Sequence, residues 1–491
     1  MSTRSNPPRR GLLALALASA WLGGCAAPPA LQRPQPPAIE DYAPGLPTSL
    51  GNTAIGQQHL TPSGATSSDW WQAFGSPQIN ALVDEGLARN DDIAAARARL
   101  QRARQLAVAA GAEAAPQLGV DAGLNRTRYG AAFLGEQARG SAAYGAYAAG
   151  LGLSYDLDLS GRIALAGKQA RAGADTRQAE LDAVRLSVGG SIVSAALETA
   201  QLRRQLEIAQ ELLAMGRESA QIVTAAREVG AATTPDSEAR QRQLYEAQAR
   251  VSRLRRQLDG AGDTLAVLLG RSPGEWTPPP LHLEQIRLPA ELPLTVPSVL
   301  LRQRPDIRAA VSALEAAAAQ VGVATAERYP QLTLSASLSR QGLFGGPAEA
   351  AWSVLGGLSA PLLDGGRLKA GQQAAMADYQ LSVAQYHQTV VAAFAQVTAR
   401  LRDLEDDAAQ AGAAAAQQAS EARDAELARA ALAAGDIARL QWLDAEQRRL
   451  AAELNEAGLR GQRLVGTAAL LRSLASAPSP ATGVSRGSGE Q

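Results

Sequence analysis

The chain repeats itself. "DIAAARARLQRARQLAVAAGAEAAPQL" runs from Asp92 to Leu118, and "DIRAAVSALEAAAAQVGVATAERYPQL" runs from Asp306 to Leu332, a constant shift of 214 residues with no gap. Twelve of the 27 aligned pairs are identical, including Glu113/Glu327 and both Pro-Gln-Leu endings. A long internal repeat means that one supersecondary unit has been used twice and that its copies pack together. Each copy passes from a helical period to a period of two at its Pro-Gln-Leu.

In the first copy Leu118, Val120, Ala122 and Leu124 fall on one face of a strand, and Gly119, Asp121, Gly123 and Asn125 on the other. Its return strand puts Tyr147, Ala149, Leu151, Leu153, Tyr155, Leu157 and Leu159 opposite Gly152, Ser154, Asp156 and Asp158. In the second copy Leu332, Leu334, Ala336 and Leu338 alternate with Thr333, Ser335, Ser337 and Ser339, and Trp352, Val354, Leu358 and Leu362 continue the pattern. Four such strands suit the wall of a water-filled transmembrane barrel. Four cannot close, and an open sheet in lipid leaves its edges unpaired, so the missing strands come from other copies.

Behind each hairpin stands a Gly-Arg pair, Gly161-Arg162 and Gly366-Arg367, now shifted by 205 residues. Each opens a proline-free helical run of about 70 residues, roughly 100 Å at the helical rise. The runs turn at Gly230 and Gly435, again 205 apart, and return as second helices. Only 4% of residues are aromatic, and Ala, Leu, Gln and Arg abound, which favours long helices with narrow apolar seams. Lys plus Arg and Asp plus Glu both number 47, so there is no basic footprint for nucleic acid. No apolar run of membrane-helix length interrupts the body of the chain.

The N-terminus reads differently. Arg4, Arg9 and Arg10 precede the short apolar stretch Gly11 to Leu22, which fits a secretory signal. It ends in Leu22-Gly23-Gly24-Cys25, and Cys25 is the sole cysteine. Leu-small-small-Cys resembles a bacterial lipobox. The reading assigns residues 1–24 to a lipoprotein signal peptide and puts a diacylglycerol and an N-acyl chain on Cys25, with no other cofactor. Ala26, with no Asp at that position, points to the outer membrane. Residues 25–68 form a Pro/Ser/Gly/Thr-rich tether, 69–270 the first repeat, 271–304 a Pro-rich equatorial linker, 305–475 the second repeat and 476–491 a disordered tail. The expected strands are 116–128, 143–159, 330–340 and 350–363. The expected helices are 76–113, 161–229, 235–269, 305–327, 366–434 and 436–474.

Enzyme signatures are weak. His59, His282 and His387 lie in unrelated contexts, and neither HExxH nor CxxC occurs. Gly483-Val484-Ser485-Arg486-Gly487 matches a nucleophile elbow in letters only, because no strand precedes it and no helix follows. The chain is read as a non-enzyme without a metal site.

Several segments resemble the outer-membrane factor family of Gram-negative bacteria, the TolC/OprM type, and within it the lipoprotein outer-membrane subunits of tripartite efflux systems. They are Cys25 in its lipobox, Asp69-Trp70-Trp71, "SYDLDLSGRI" at Ser154–Ile163, "RQRPDI" at Arg302–Ile307, "APLLDGGRL" at Ala360–Leu368 and "WLDAEQ" at Trp442–Gln447. The resemblance covers residues 69 to 474. It implies an α+β membrane protein with two strand–helix repeats per protomer. Three protomers would form a homotrimeric 12-stranded β-barrel, continued by a long periplasmic coiled-coil helical barrel with a belt halfway. It implies a passive exit duct for drugs or other small molecules, working with a periplasmic adaptor and an inner-membrane pump and embedded in outer-membrane lipid. Ducts for metal-ion efflux or type I protein secretion share the fold. A pore-free coiled-coil lipoprotein is the alternative of another class, and the amphipathic strands speak against it.

The resemblance also implies site residues. Asp236 and Asp444 match acidic positions of the family's periplasmic constriction. Thr233 or Thr234, Pro235 and Asp236 also read as an ordinary helix start, and Asp444 as a partner of Arg448 one turn on. Gln441 and Ile437 stand where an Asp and an Arg are found in one branch, so an ionic lock is weakened, and Leu440 and Leu443 are candidate apolar plugs. Val229, Gly230 and Ala231, with Gly435, match the tips that meet the adaptor.

Overall fold

The computed structural model describes residues 48–52, 55–63, 67–128, 143–295 and 297–475, with 42 and 45 besides. The signal peptide, Cys25 and the tail 476–491 lie outside the described residues. The described residues divide into two compact units, one drawn from 101–176 and 311–385, the other from 48–100, 177–310 and 386–475.

The first unit holds a four-stranded antiparallel sheet in the order β3-β4-β6-β7: β3 is Gln117–Thr127, β4 Tyr144–Leu157, β6 Gln331–Leu343 and β7 Glu349–Ser359. Each repeat supplies one hairpin, and β4 joins β6 from Leu157↔Leu332 to Ala146↔Leu343. The register sorts side chains row by row. Leu118, Leu153, Ala336 and Val354 form one row, and Val120, Leu151, Leu338 and Trp352 the next. Leu118, Val120, Leu338, Trp352 and Val354 are each more than half exposed, so this apolar face has no cover within the protomer. The other face carries Asp156 bonded to Thr333 (Oγ1–Oδ1 2.6 Å) and Ser337 bonded to Ser353 (2.9 Å). β7 stops at Ser359, short of the expected 363, because Pro361 has no amide to donate. Leu362 is 95% exposed beyond the strand.

The Gly-Arg pairs are helix starts. Helix α3 is Arg162–Glu228, and Asp158 accepts from the Ile163 and Ala164 amides at 3.0 and 2.8 Å. Helix α7 is Arg367–Ala434, and Asp364 accepts from Gly366 and Leu368 at 2.9 and 2.8 Å. Gly161 and Gly366 carry φ of 75° and 88°, the left-handed turn that lets the strand hand over to the helix. Helix α6, Pro305–Ala326, is 22 residues long with a mean hydropathy of 1.3 in its best window, so by length and composition it could cross a membrane, against the sequence expectation. Its Leu314, Val321 and Ala324 pack instead on Ala375 and Tyr379 of α7.

The second unit holds the remaining helices: α1 Pro77–Arg89, α2 from Asp91 (to Ala112), α4 Thr234–Leu268, α5 Pro297–Gln303 and α8 Arg439–Leu474. Residues 76–113, expected as one helix, break at Asn90. Its backbone is extended (ψ 132°), its Oδ1 accepts from Asp92 and Ile93, and its Nδ2 donates to the Leu268 carbonyl at 2.9 Å. One side chain thus starts α2 and ties the break to α4. Leu202, Ala209 and Leu213 of α3 pack on Val251, Leu254 and Ala261 of α4.

Part of the expected tether is ordered sheet. β1, Ser49–Leu50, pairs antiparallel with β2, Gln58–Ser63, which pairs parallel with β5, Glu291–Thr295, inside the expected linker. The reason is Arg463 of α8, only 2% exposed. Its guanidinium donates to Gln58 Oε1 at 3.1 Å and to the carbonyls of Ile55 and Gly56 at 3.0 and 2.8 Å. Gln58 in turn donates to the Pro289 carbonyl and to Thr467 Oγ1. A proline-rich composition gave no hint of partners so distant in sequence.

Candidate functional site

At the first tip the chain leaves α3 and turns at Gly230, with φ 77°, and the Ala231 amide reaches back to the Ala226 carbonyl at 2.8 Å. Thr233 and Asp236 then close a reciprocal capping box: Thr233 N donates to Asp236 Oδ2 (3.1 Å), Thr233 Oγ1 to the same oxygen (2.5 Å), and Asp236 N to Thr233 Oγ1 (3.3 Å). Bonds from the Thr233 hydroxyl and amide hold this fully exposed carboxyl below its ordinary range. The second tip turns on Gly435, φ 83°, with Asp436 N bonded to the Ala431 carbonyl at 2.9 Å. There Gln441 does the capping, its Oε1 accepting from Ala438 N at 3.0 Å. Val229 is 80% exposed, Gly230 and Ala231 beside it are exposed, and so is Gly435 at the second tip.

A groove of about 790 Å³ lies between the end of α3 and the starts of α4 and α8, and Asp236, Arg240, Leu440 and Asp444 all line it. Its centre is a two-pronged ion pair: Arg240 Nη1 to Asp444 Oδ1 at 2.6 Å and Nη2 to Oδ2 at 2.9 Å, joining α4 to α8. The parallel fork fits a carboxylate in one orientation, which a single-pronged surface pair does not. Around it Arg439 donates to Glu218 (2.8 Å) and lies 4.3 Å over the Trp442 ring, while Gln447 donates to Ser219.

Two expectations about this region are corrected. Asp444 does not pair with Arg448, which reaches Glu421 instead at 3.5 Å. Leu443 is fully buried within the protomer, so it presents no surface to plug anything; the helical turn puts it about 60° round from Leu440, which stays in the groove. Arg240 was missed in the sequence although the repeat shift of 205 residues carries it to position 445, beside Asp444. Among the described residues no three His, Cys, Asp or Glu side chains gather as a metal site would require.

Comparison with known proteins decides the family. The sequence matches the family "Outer membrane efflux protein" over residues 82–271 and 296–476, which takes in both repeats. The chain belongs to the outer membrane efflux protein family. It is 34% identical over 337 residues to the pyoverdine export outer membrane protein OpmQ of Pseudomonas putida, covering 67% of this chain and 71% of that protein. It is 28% identical over 482 residues to outer membrane protein OprJ of Pseudomonas aeruginosa, 95% of this chain and 96% of the relative. The solved outer-membrane channel OprN superposes with a TM-score of 0.76 at 28% identity, covering 90% of this chain and 99% of OprN.

The fold is that of the outer-membrane factor channels, a trimeric β-barrel continued by a helical barrel. As an efflux-family protein the chain is an outer-membrane exit duct of Gram-negative bacteria, and such ducts work with a periplasmic adaptor and an inner-membrane pump. This explains the uncovered apolar face. The barrel's lipid side must be apolar and its lumen wet.

Proposed function

We propose that this protein is the passive exit duct of a tripartite pump for small organic molecules, anchored through lipid on Cys25 and held shut at its periplasmic mouth by the Arg240–Asp444 pair. The relatives are named for export of pyoverdine, toluene and antibiotics, which favours that substrate class. The observation that carries the gate is the forked ion pair across the groove behind both hairpin tips. If the tips move apart to open, α4 and α8 part and the pair breaks. Leu440 adds an apolar margin and Asp236 a ring charge. The exposed Val229, Gly230, Ala231 and Gly435 offer the adaptor a surface without large side chains.

Single-channel current in planar bilayers tests the gate. Arg240→Ala and Asp444→Ala should each raise resting conductance several-fold, and the exchange Arg240→Asp with Asp444→Arg should bring it back. Asp444→Ala should also weaken cation preference by leaving Arg240 uncompensated. Wild-type conductance in all three variants overturns the lock. The anchor has its own assay: Cys25→Ser should abolish fatty-acid labelling while pore formation persists, and undiminished labelling refutes the lipobox assignment.

A further inference from the structure

Charge is sorted between the two faces of the barrel sheet. On the polar face the charged side chains of β3, β4, β6 and β7 are Asp121, Asp156 and Glu349, all acidic. On the apolar face they are Arg126 and Arg340, in phase with Leu118–Leu124 and with Leu332–Leu338. No carboxylate shares their face, and among the described residues neither arginine has an ion-pair partner. Both are exposed.

Their height matters. Leu157, Leu332 and Leu358 form the row at the helix end of the sheet; Arg340 stands opposite Ala149, eight residues further along β4. Eight residues span about 27 Å of strand, or about 20 Å across the membrane at a tilt of 40°. The apolar band of such barrels is about 25 Å tall, so Arg340 sits near its outer rim and Arg126, opposite Gly145, stands above it. Between them lies an aromatic pair: Tyr147 and Phe344 stack with centroids 6.2 Å apart and ring planes at 13°. The strand leaves space for them by glycine. A Cβ on Gly145 would come within 2.1 Å of the Phe344 ring, and one on Gly342 within 2.9 Å of the Tyr147 hydroxyl. Stacked rings seated on glycines are the interfacial girdle of a barrel, and they place both guanidiniums at headgroup level.

We propose that Arg126 and Arg340, flanking the Tyr147–Phe344 pair, bind the phosphate groups of the phosphorylated glycolipid in the outer leaflet. The guanidinium fork accepts two phosphate oxygens, and the rings and leucines below receive the acyl chains. The proposal rests on the barrel reading, since it needs the apolar face turned to lipid. Three sites would circle a trimer.

The test is native mass spectrometry of the detergent-purified full-length trimer, titrated with bisphosphorylated lipid A, with the same lipid lacking phosphates, and with inorganic phosphate as competitor. Wild type should retain phosphorylated lipid at least fivefold better than the dephosphorylated form. Arg126→Gln with Arg340→Gln should lose that preference, and Arg126→Lys with Arg340→Lys should keep most of it. Bilayer conductance should stay unchanged in every variant. Equal retention by the Gln variant, equal retention of the two lipids by wild type, or displacement by millimolar inorganic phosphate overturns the proposal. Failure of wild type to form a conducting trimer shows on native gels and in bilayers, and counts against the barrel itself.

Discussion

Arg463 ties the final helix to the small sheet near residue 58. It donates to one side chain and to backbone carbonyls of the segment 50–56 while almost wholly buried. Removing it strands those acceptors, at about 1–3 kcal/mol for each one left buried and unsatisfied. Arg463→Ala should lower the melting temperature and open residues 48–63 to protease, and Arg463→Lys should rescue only part, because an ammonium cannot reproduce the fork. Its neighbour Asp407 is a second test. Burial raises the Asp407 carboxyl above its ordinary range, with Asp403 and Asp406 adding to the rise and the Gln462 bond and Arg463 opposing it. A raised carboxyl binds its proton more tightly when folded. Its contribution to stability is therefore fully present at acid pH and lost as pH rises through the folded value. Asp407→Asn should melt higher than wild type at pH 7, with the gap closing toward pH 4; a gap that widens in acid would refute the assignment. Asp236 runs the other way, its capping bond loosening as pH falls, which amide exchange in residues 234–240 should reveal.

At the scale of elements, Asn90→Ala is expected to cost about 1–2 kcal/mol by removing the start of α2 and its bond to Leu268, read as a drop in denaturation midpoint. Here the limits of sequence reading are physical. Strands and long helices were legible because a period of two and a period of 3.6 are local properties of the chain. The tips were legible because a left-handed turn selects glycine. Asn90 was not, since an alanine-rich pattern passes through it unbroken and its bonding partner lies on α4. The same holds for the gate: Asp444 was found by its motif, whereas its partner Arg240 and the inward direction of Leu443 depend on how α4, α8 and α3 pack. β2 hid in a proline-rich stretch because its long pairing is with β5, more than 200 residues on, and the two-residue β1 rests only on β2.

For the whole molecule, the outer edges of β3 and β7 carry unpaired ladder groups that lipid cannot satisfy. Val120→Pro or Val354→Pro, each striking an edge strand, should abolish the heat-modifiable trimer, seen as monomer on native gels. A monomer or dimer of wild type that conducts would sink the closed barrel. The small sheet has a further consequence. β2 lies near the start of the chain, yet its partners are β5, Arg463 and Thr467, the last two on the final helix. A chain made from its N-terminus therefore exports the strap first and can fasten it last, after nearly every other residue has left the translocon. The clamp therefore closes only once α8 has been made. Pulse proteolysis during synthesis should find residues 48–63 protected after α3 and α4, although they are made before both.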